Sequence, residues 1–214
     1  MKTIILTANL GNFDKRIDPV KQSVPCDFHR FTDENFPPRF NAMTPRLQAR
    51  IPKMFGDQMK PGYNYYIWID GSCSFQHPDS AKWLLEHCHY ADMVVLKHPT
   101  RNSIQEEADY LKLRLKNKCP YITPRYENEL IDEQLESIQK DKDFVDDKLF
   151  ASTVMIYKTS GRIHGLLSHW WYHTSRFHSI DQLSLPYVIA KSKCNVKVLD
   201  ENYWKSKYIT YIRK

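Results

Sequence analysis

Tyr65-Tyr66-Ile67-Trp68-Ile69-Asp70-Gly71-Ser72-Cys73-Ser74-Phe75 is the stretch on which the fold turns. Its four β-prone residues Tyr66, Ile67, Trp68 and Ile69 suit a strand buried on both faces. The apolar run stops at Asp70, and Gly71 and Ser72 then carry turn chemistry. Open α/β sheets bind ligands outside the carboxyl ends of their strands. Asp70 is therefore the first candidate site residue. A turn cap, its carboxylate accepting from the backbone amide two residues on, is the competing reading, and the two roles can coexist.

Strands and helices alternate on either side of this segment. Residues 2–8 and 27–31 read as strands, broken by Asn9-Leu10-Gly11-Asn12 and by Thr32-Asp33-Glu34-Asn35. Residues 44–60 read as a helix, with Thr44 as N-cap, Pro45 at the first helical position and a kink expected at Pro52. Further helices are expected over 79–86, 103–118, 127–141, 163–175 and 181–192, the second capped by Ser103 with Glu106 three places on. Further strands are expected over 92–97, 150–158 and 196–199. The alternation predicts an α/β fold with a mixed, mostly parallel central sheet. The charged stretch 139–148 is the best candidate for a mobile loop.

The chain has 214 residues, 42% of them apolar and 26% charged, which suits one domain with a substantial core. The 31 basic and 25 acidic side chains leave a net charge of +6, not gathered into one tract. That balance favours anionic ligands without pointing to nucleic acid. Cys26, Cys73, Cys88, Cys119 and Cys194 form no C-x-x-C pair, so a disulfide framework and a structural zinc site are both disfavoured. With reduced thiols, no leader-like apolar stretch and no membrane-spanning segment, the expectation is a soluble cytoplasmic protein. Peripheral contact with a membrane surface stays open.

Four polar clusters stand at strand ends or helix starts. Asn9 to Asp14 follow the first strand and suit a nucleoside contact or a plain turn. Arg46, Arg50 and Lys53 share one face if their helix is continuous, a face suited to diphosphate oxygens. His98-Pro99-Thr100-Arg101 follows the 92–97 strand. Ser179-Ile180-Asp181-Gln182 opens a helix, where Ser179 or Asp181 is an N-cap or Asp181 is presented to a cleft. His169 and His173 have zinc-compatible spacing, but the glutamate of H-E-x-x-H is missing. No P-loop, G-x-G-x-x-G or G-x-S-x-G motif is present.

Taken in order, Thr7 to Asp14, Phe31-Thr32-Asp33, Pro45 to Lys53, Tyr66 to Gly71, His98 to Arg101, Glu106-Glu107-Ala108, Trp170-Trp171 and Asp181 to Ser184 resemble the plant TOD1/MUCI70 glycosyltransferase-like domain family. Residues 118–148 and the last dozen match poorly. The resemblance implies a single-domain GT-A fold, Rossmann-like, that binds a nucleoside diphosphate sugar at its strand ends. It implies transfer of the sugar, with a UDP-sugar the first choice, to a hydroxyl acceptor such as a glycan. Donor-binding residues would be Asn9, Asp14, Arg46, Arg50, Lys53, Asp70, Gly71, Ser72, His98 and Arg101. Asp181 and Gln182 would be catalytic, in the manner of the D-Q element of retaining GT-A families. In GT-A enzymes a D-x-D motif usually holds a divalent cation. Here Asp70-Gly71-Ser72 lacks the second carboxylate, and Asp70 alone is left for Mn²⁺ or Mg²⁺, helped by phosphate oxygens and water. Trp170, Trp171 and Tyr172 would stack on an acceptor sugar or belong to the core. The alternatives are a catalytically silent nucleotide-sugar or glycan-binding domain and, more remotely, a nucleic-acid-binding module.

Overall fold

The computed structural model describes residues 1–212. Its centre is a six-stranded sheet. In chain order the contributing strands are β1 (Thr3–Asn9), β2 (Asp27–Thr32), β3 (Tyr65–Ile69), β5 (Met93–Lys97), β6 (Phe150–Lys158) and β7 (Val196–Leu199). They lie side by side as β2-β1-β3-β6-β5-β7, and only β6 runs antiparallel to its neighbours. The expected mixed, mostly parallel α/β sheet is present. A separate two-stranded ribbon pairs β4 (Cys73–Phe75) with β8 (Ile209–Tyr211). Its short strands were not expected, because each has its pairing partner more than a hundred residues away.

Alternation along the strands divides the core. Ile4, Leu6, Tyr66, Trp68, Met155 and Tyr157 face helices α1 (Pro45–Met59) and α6 (Gly161–Arg176). Ile5, Ile67, Ile69, Val94, Val154 and Ile156 face α2 (Ser80–Cys88). β3 is buried along its whole length, as an apolar run between two covered sheet faces must be. A third cluster joins α3 (Ile104–Lys116), α4 (Thr123–Tyr126) and α5 (Ile131–Gln139) around Leu111, Ile122 and Leu135.

Four local expectations are corrected. The helix expected over 127–141 is α5 alone and starts only at Ile131, because Asn128 takes a left-handed φ of 68° and separates it from the single turn α4. The 181–192 helix begins as a 3₁₀ turn, Asp181–Leu183, and continues as α7 (Leu185–Lys191) with Pro186 in its first turn. Residues 139–148 are tied down. The Asp146 carboxylate accepts from the amides of Ile104 (2.7 Å) and Gln105 (2.9 Å), capping α3, and Asp141 pairs with Lys191 at 2.6 Å. In α1 the departure from helical geometry falls at Phe55 rather than Pro52. Gly56 follows it, where a Cβ would lie 2.4 Å from the Leu6 side chain. No helix of the described residues is long and apolar enough to cross a membrane.

Candidate functional site

Five chain segments converge where β1 and β3 end and β6 begins. At the end of β1, Asn9 folds its own exit loop. Its Nδ2 donates to the Asp14 carbonyl (2.7 Å), and the Asp14 amide donates to Asn9 Oδ1 (3.0 Å). Gly11 supplies the left-handed turn (φ 69°), and its amide donates to the Asp33 carboxylate at 2.8 and 3.1 Å. The loop thereby lays the Asp14 carboxylate on the Asp70-Gly71-Ser72 turn. A Cβ at Gly71 would sit 2.6 Å from the Ala8 carbonyl oxygen and 2.9 Å from Asp14 Oδ2. Only glycine fits there.

Beneath this turn lies a cluster of four charges. The Lys53 side chain has no exposed surface. Its Nζ stands 2.6 Å from Asp181 Oδ2 and 3.1 Å from Asp70 Oδ1, between the rings of Trp68 (5.8 Å) and Trp170 (5.7 Å). Arg50 approaches the same carboxylates, 3.4 Å from Asp181 and 3.7 Å from Asp70. Asp70 Oδ1 also accepts from Trp68 Nε1 at 2.7 Å. The Asp70 carboxylate is thus turned towards side chains, not the Ser72 amide, and the turn-cap reading is set aside. About a quarter of its side chain (24%) stays exposed.

Asp181 is the inner member of the cluster. Ser152 Oγ donates to its Oδ1 (3.0 Å), and Trp170 Nε1 to its main-chain oxygen (2.7 Å). Burial alone would raise its carboxyl pKa. Arg50 and Lys53, with the Ser152 hydrogen bond, reverse this and hold it down at about 2. Burial opposes the charge on Arg50 in turn, yet Asp181 and Asp70 outweigh it and raise its pKa.

Above the cluster opens a cavity of about 590 Å³, within the range of small-ligand sites. Asp14, Arg46, Arg50, Asp70, Gly71, Ser72, Asp181 and Gln182 line it, as does Asn9. Three expected residues do not. Lys53 lies fully buried below the floor, held there by its two carboxylates. His98 and Arg101 stand behind the wall. The His98 ring accepts from the amides of Arg101 (3.0 Å) and Thr100 (3.3 Å), closing its own turn. The Arg101 guanidinium pairs with Glu107, which also accepts from Gln182. Glu107 faces the cavity, and Arg101 braces it from outside. Burial pushes the Glu107 carboxyl up and the His98 imidazole down to about 4.

The indole pair is also absent from the cavity wall. Trp170 is core, Trp171 packs on Phe55 (5.8 Å), and Tyr172 is exposed on α6. The aromatic wall is built instead from Phe13, Tyr110, Tyr121, Tyr126, Tyr203 and Tyr211. Two arginines are held on it. Arg46 lies 4.7 Å over Tyr126 and donates to its hydroxyl. Arg125 lies 3.3 Å from the Tyr121 ring centroid and 4.3 Å from that of Phe13, bridging the two sides of the mouth. Glu107 stood within a motif already singled out. Ser152 lies in a strand of recognised position. Arg125, Tyr203 and Tyr211 had no local pattern to mark them.

A divalent cation at Asp70 does not suit these residues. Among the described residues no group of three His, Cys, Asp or Glu gathers to hold one. Asp70 Oδ1 already serves Lys53, Trp68 and Arg50. An ion at metal–oxygen distance from that carboxylate would face both cations, where repulsion runs at about 4 kcal/mol per pair of unit charges at 4 Å.

A family model described as TOD1/MUCI70, glycosyltransferase-like domain, matches residues 40–208. The match takes in α1, Asp70, Glu107, Ser152 and Asp181 and leaves out β1 and β2. Among solved structures the chain is similar to one titled "Crystal Structure of A197 from STIV", with 10% identity and a TM-score of 0.42, covering 100% of this chain and 87% of that one. A likeness at that level carries no argument. No curated protein matches.

Proposed function

The chain belongs to the TOD1/MUCI70 glycosyltransferase-like domain family, and from that premise we propose that it moves a sugar from a nucleoside diphosphate sugar to a hydroxyl of a glycan. One observation carries the proposal. Arg46, Arg50, Asp70 and Asp181 face one cavity at the ends of parallel strands, where an α/β sheet takes its ligands.

Breaking the bond between the anomeric carbon and the diphosphate builds negative charge on the leaving group and positive charge on the sugar. Arg46 and Arg50 are placed to receive the first charge, with guanidinium groups already oriented by Tyr126 and by Asp70 and Asp181. Asp14 and the aromatic wall would hold the nucleoside, and Gly71 and Ser72 would let the diphosphate approach the backbone. Asp181 stays ionised, so its charge favours the oxocarbenium-like sugar. With a pKa of about 2 it is a poor base. The acceptor proton therefore passes to another group, and the departing phosphate oxygen is the base that the reaction itself creates. Gln182 orients Glu107 towards the cavity. A UDP-sugar is the first candidate donor. The five free thiols suit a reducing, cytoplasmic setting.

The missing second carboxylate of Asp70-Gly71-Ser72 favours a second reading, a domain that binds a nucleotide sugar without turnover. A thermal-shift series of UDP- and GDP-sugars, followed by assay of released nucleoside diphosphate with glycan acceptors, separates the two. Stabilisation with release supports transfer. Stabilisation without release leaves the binding reading, and no stabilisation by any nucleotide sugar removes both.

A further inference from the structure

Lys53 has a placement that neither its helix nor its burial requires. Lysine is rarely buried without a partner, and its long stem ordinarily lets it pair with one carboxylate while its end stays in water. Instead its ammonium bridges two carboxylates delivered by separate elements, Asp70 after β3 and Asp181 in the 3₁₀ turn, at 3.1 and 2.6 Å. The rings of Trp68 and Trp170 close its other sides, and no part of the side chain reaches solvent. With Arg50 the cluster sums to zero, two positive charges against two negative. Higher on the wall Arg46 and Arg125 face the cavity together with Asp14 and Glu107, and Arg101 pairs with Glu107 from behind.

We propose that Lys53 is a resident counter-cation, standing between Asp70 and Asp181 where a divalent metal would otherwise bridge them, so that the cavity receives a diphosphate without a metal ion. The proposal rests on the reading of this cavity as a nucleoside diphosphate sugar site. An ammonium has three donors and a fixed charge. It hydrogen-bonds Asp70 and stands in ion-pair contact with Asp181, without the water ligands that Mg²⁺ retains. The diphosphate charge then falls to the arginines on the wall. Lys53 acts as a positioning residue, fixing the two carboxylates from below without touching the donor.

Mn²⁺ titration followed by the free-ion EPR signal tests this on the intact protein, first without nucleotide and then with UDP. Wild type should take up no more Mn²⁺ than Asp70→Asn in either series, and stabilisation by UDP should be unchanged by EDTA. Lys53→Met, which leaves two carboxylates facing each other, should gain saturable Mn²⁺ binding that Lys53→Met/Asp70→Asn loses. Saturable binding by wild type that disappears in Asp70→Asn overturns the proposal, as does a folded Lys53→Met that binds no Mn²⁺. Circular dichroism establishes whether Lys53→Met folds, and if it does not, wild type against Asp70→Asn decides. Absence of any UDP effect would count against the sugar-transfer reading, while the nucleotide-free titration still judges Lys53.

Discussion

The indole nitrogen of Trp170 donates to the main-chain oxygen of Asp181 over 2.7 Å. A helix on one face of the sheet thereby fixes the backbone of the residue that presents the inner carboxylate. Trp170 resembles a sugar-stacking residue in sequence, yet its ring is core and its polar edge is the part that serves the site. Trp170→Phe keeps most of the apolar volume and removes the donor. It should lower stability by roughly 0.5–1.5 kcal/mol, the net worth of one hydrogen bond, since the Ser184 amide and hydroxyl still reach that oxygen, and weaken UDP binding in parallel. Urea unfolding with an unchanged midpoint would show that the bond contributes nothing.

Asp181→Asn should be costly at neutral pH. It leaves Lys53 and Arg50 sharing Asp70, and breaking a buried ion pair typically costs about 3–5 kcal/mol. The pH dependence has a definite sign. The folded-state pKa lies below the ordinary carboxylate value, so the stabilisation is fully present above about 4 and fades as pH falls towards 2. Denaturation midpoints of wild type and variant should therefore converge in that acid range. A gap that stays constant down to pH 2 would contradict the ionised cluster.

Gly71→Ala should damage the site more than its size suggests. The added methyl meets the Ala8 carbonyl oxygen at 2.6 Å, and backbone on the first strand cannot step aside as a flexible side chain can. Overpacking of this kind costs on the order of 1–3 kcal/mol. Nucleotide-induced stabilisation should vanish, because the Asp14 loop must lift. Wild-type melting and binding in this variant would mean that the loop is freely displaced.

His98, His173 and His178 are each held near 4 by burial. The unfolded chain, with ordinary values near 6.5, takes up these protons first as pH falls. Stability should decline between about 6.5 and 4, by up to about 1.4 kcal/mol per pH unit for each ring. Thermal melts from pH 7 to 4.5 measure the slope, and His173→Gln should flatten it. A melting point constant across that interval would exclude neutral buried imidazoles.

Arg46→Ala and Arg125→Ala should each weaken UDP binding roughly ten-fold or more, the worth of a charge-assisted hydrogen bond to an anion. Arg101→Ala should act less directly, through Glu107, and change affinity by a smaller factor. Isothermal titration ranks the three. Equal losses for Arg101 and Arg46 would place Arg101 at the ligand after all.

Much of this arrangement could be read from the chain. An apolar run ending in Asp70 fixed one strand and its rim, and the spacing of Arg46, Arg50 and Lys53 placed them on one helical face, which the structure has. Spacing says nothing of depth, however. Lys53 lies a further turn along α1 and sinks below the floor while Arg50 stays at it. The helix expected over 127–141 forms only from Ile131: Ile131, Leu135 and Ile138 give it its buried face, but the left-handed Asn128 before it is not recorded in their spacing. Arg125, Tyr203 and Tyr211 join the cavity only through tertiary folding, which no local periodicity records.

The reversed direction of β6 brings Ser152 and Thr153, in its first half, to the rim where β3 finishes. One of the four charges of the cluster, Asp181, thus depends on chain that leaves the ribosome late. A nascent polypeptide ending before residue 150 already holds Lys53, Arg50 and Asp70 but has no Asp181 to balance them. The two cations then have one carboxylate between them, and the two indoles cannot yet close around the ammonium. On the sugar-transfer reading, a truncated translation product should be blind to nucleotide sugars even where its first three strands have paired.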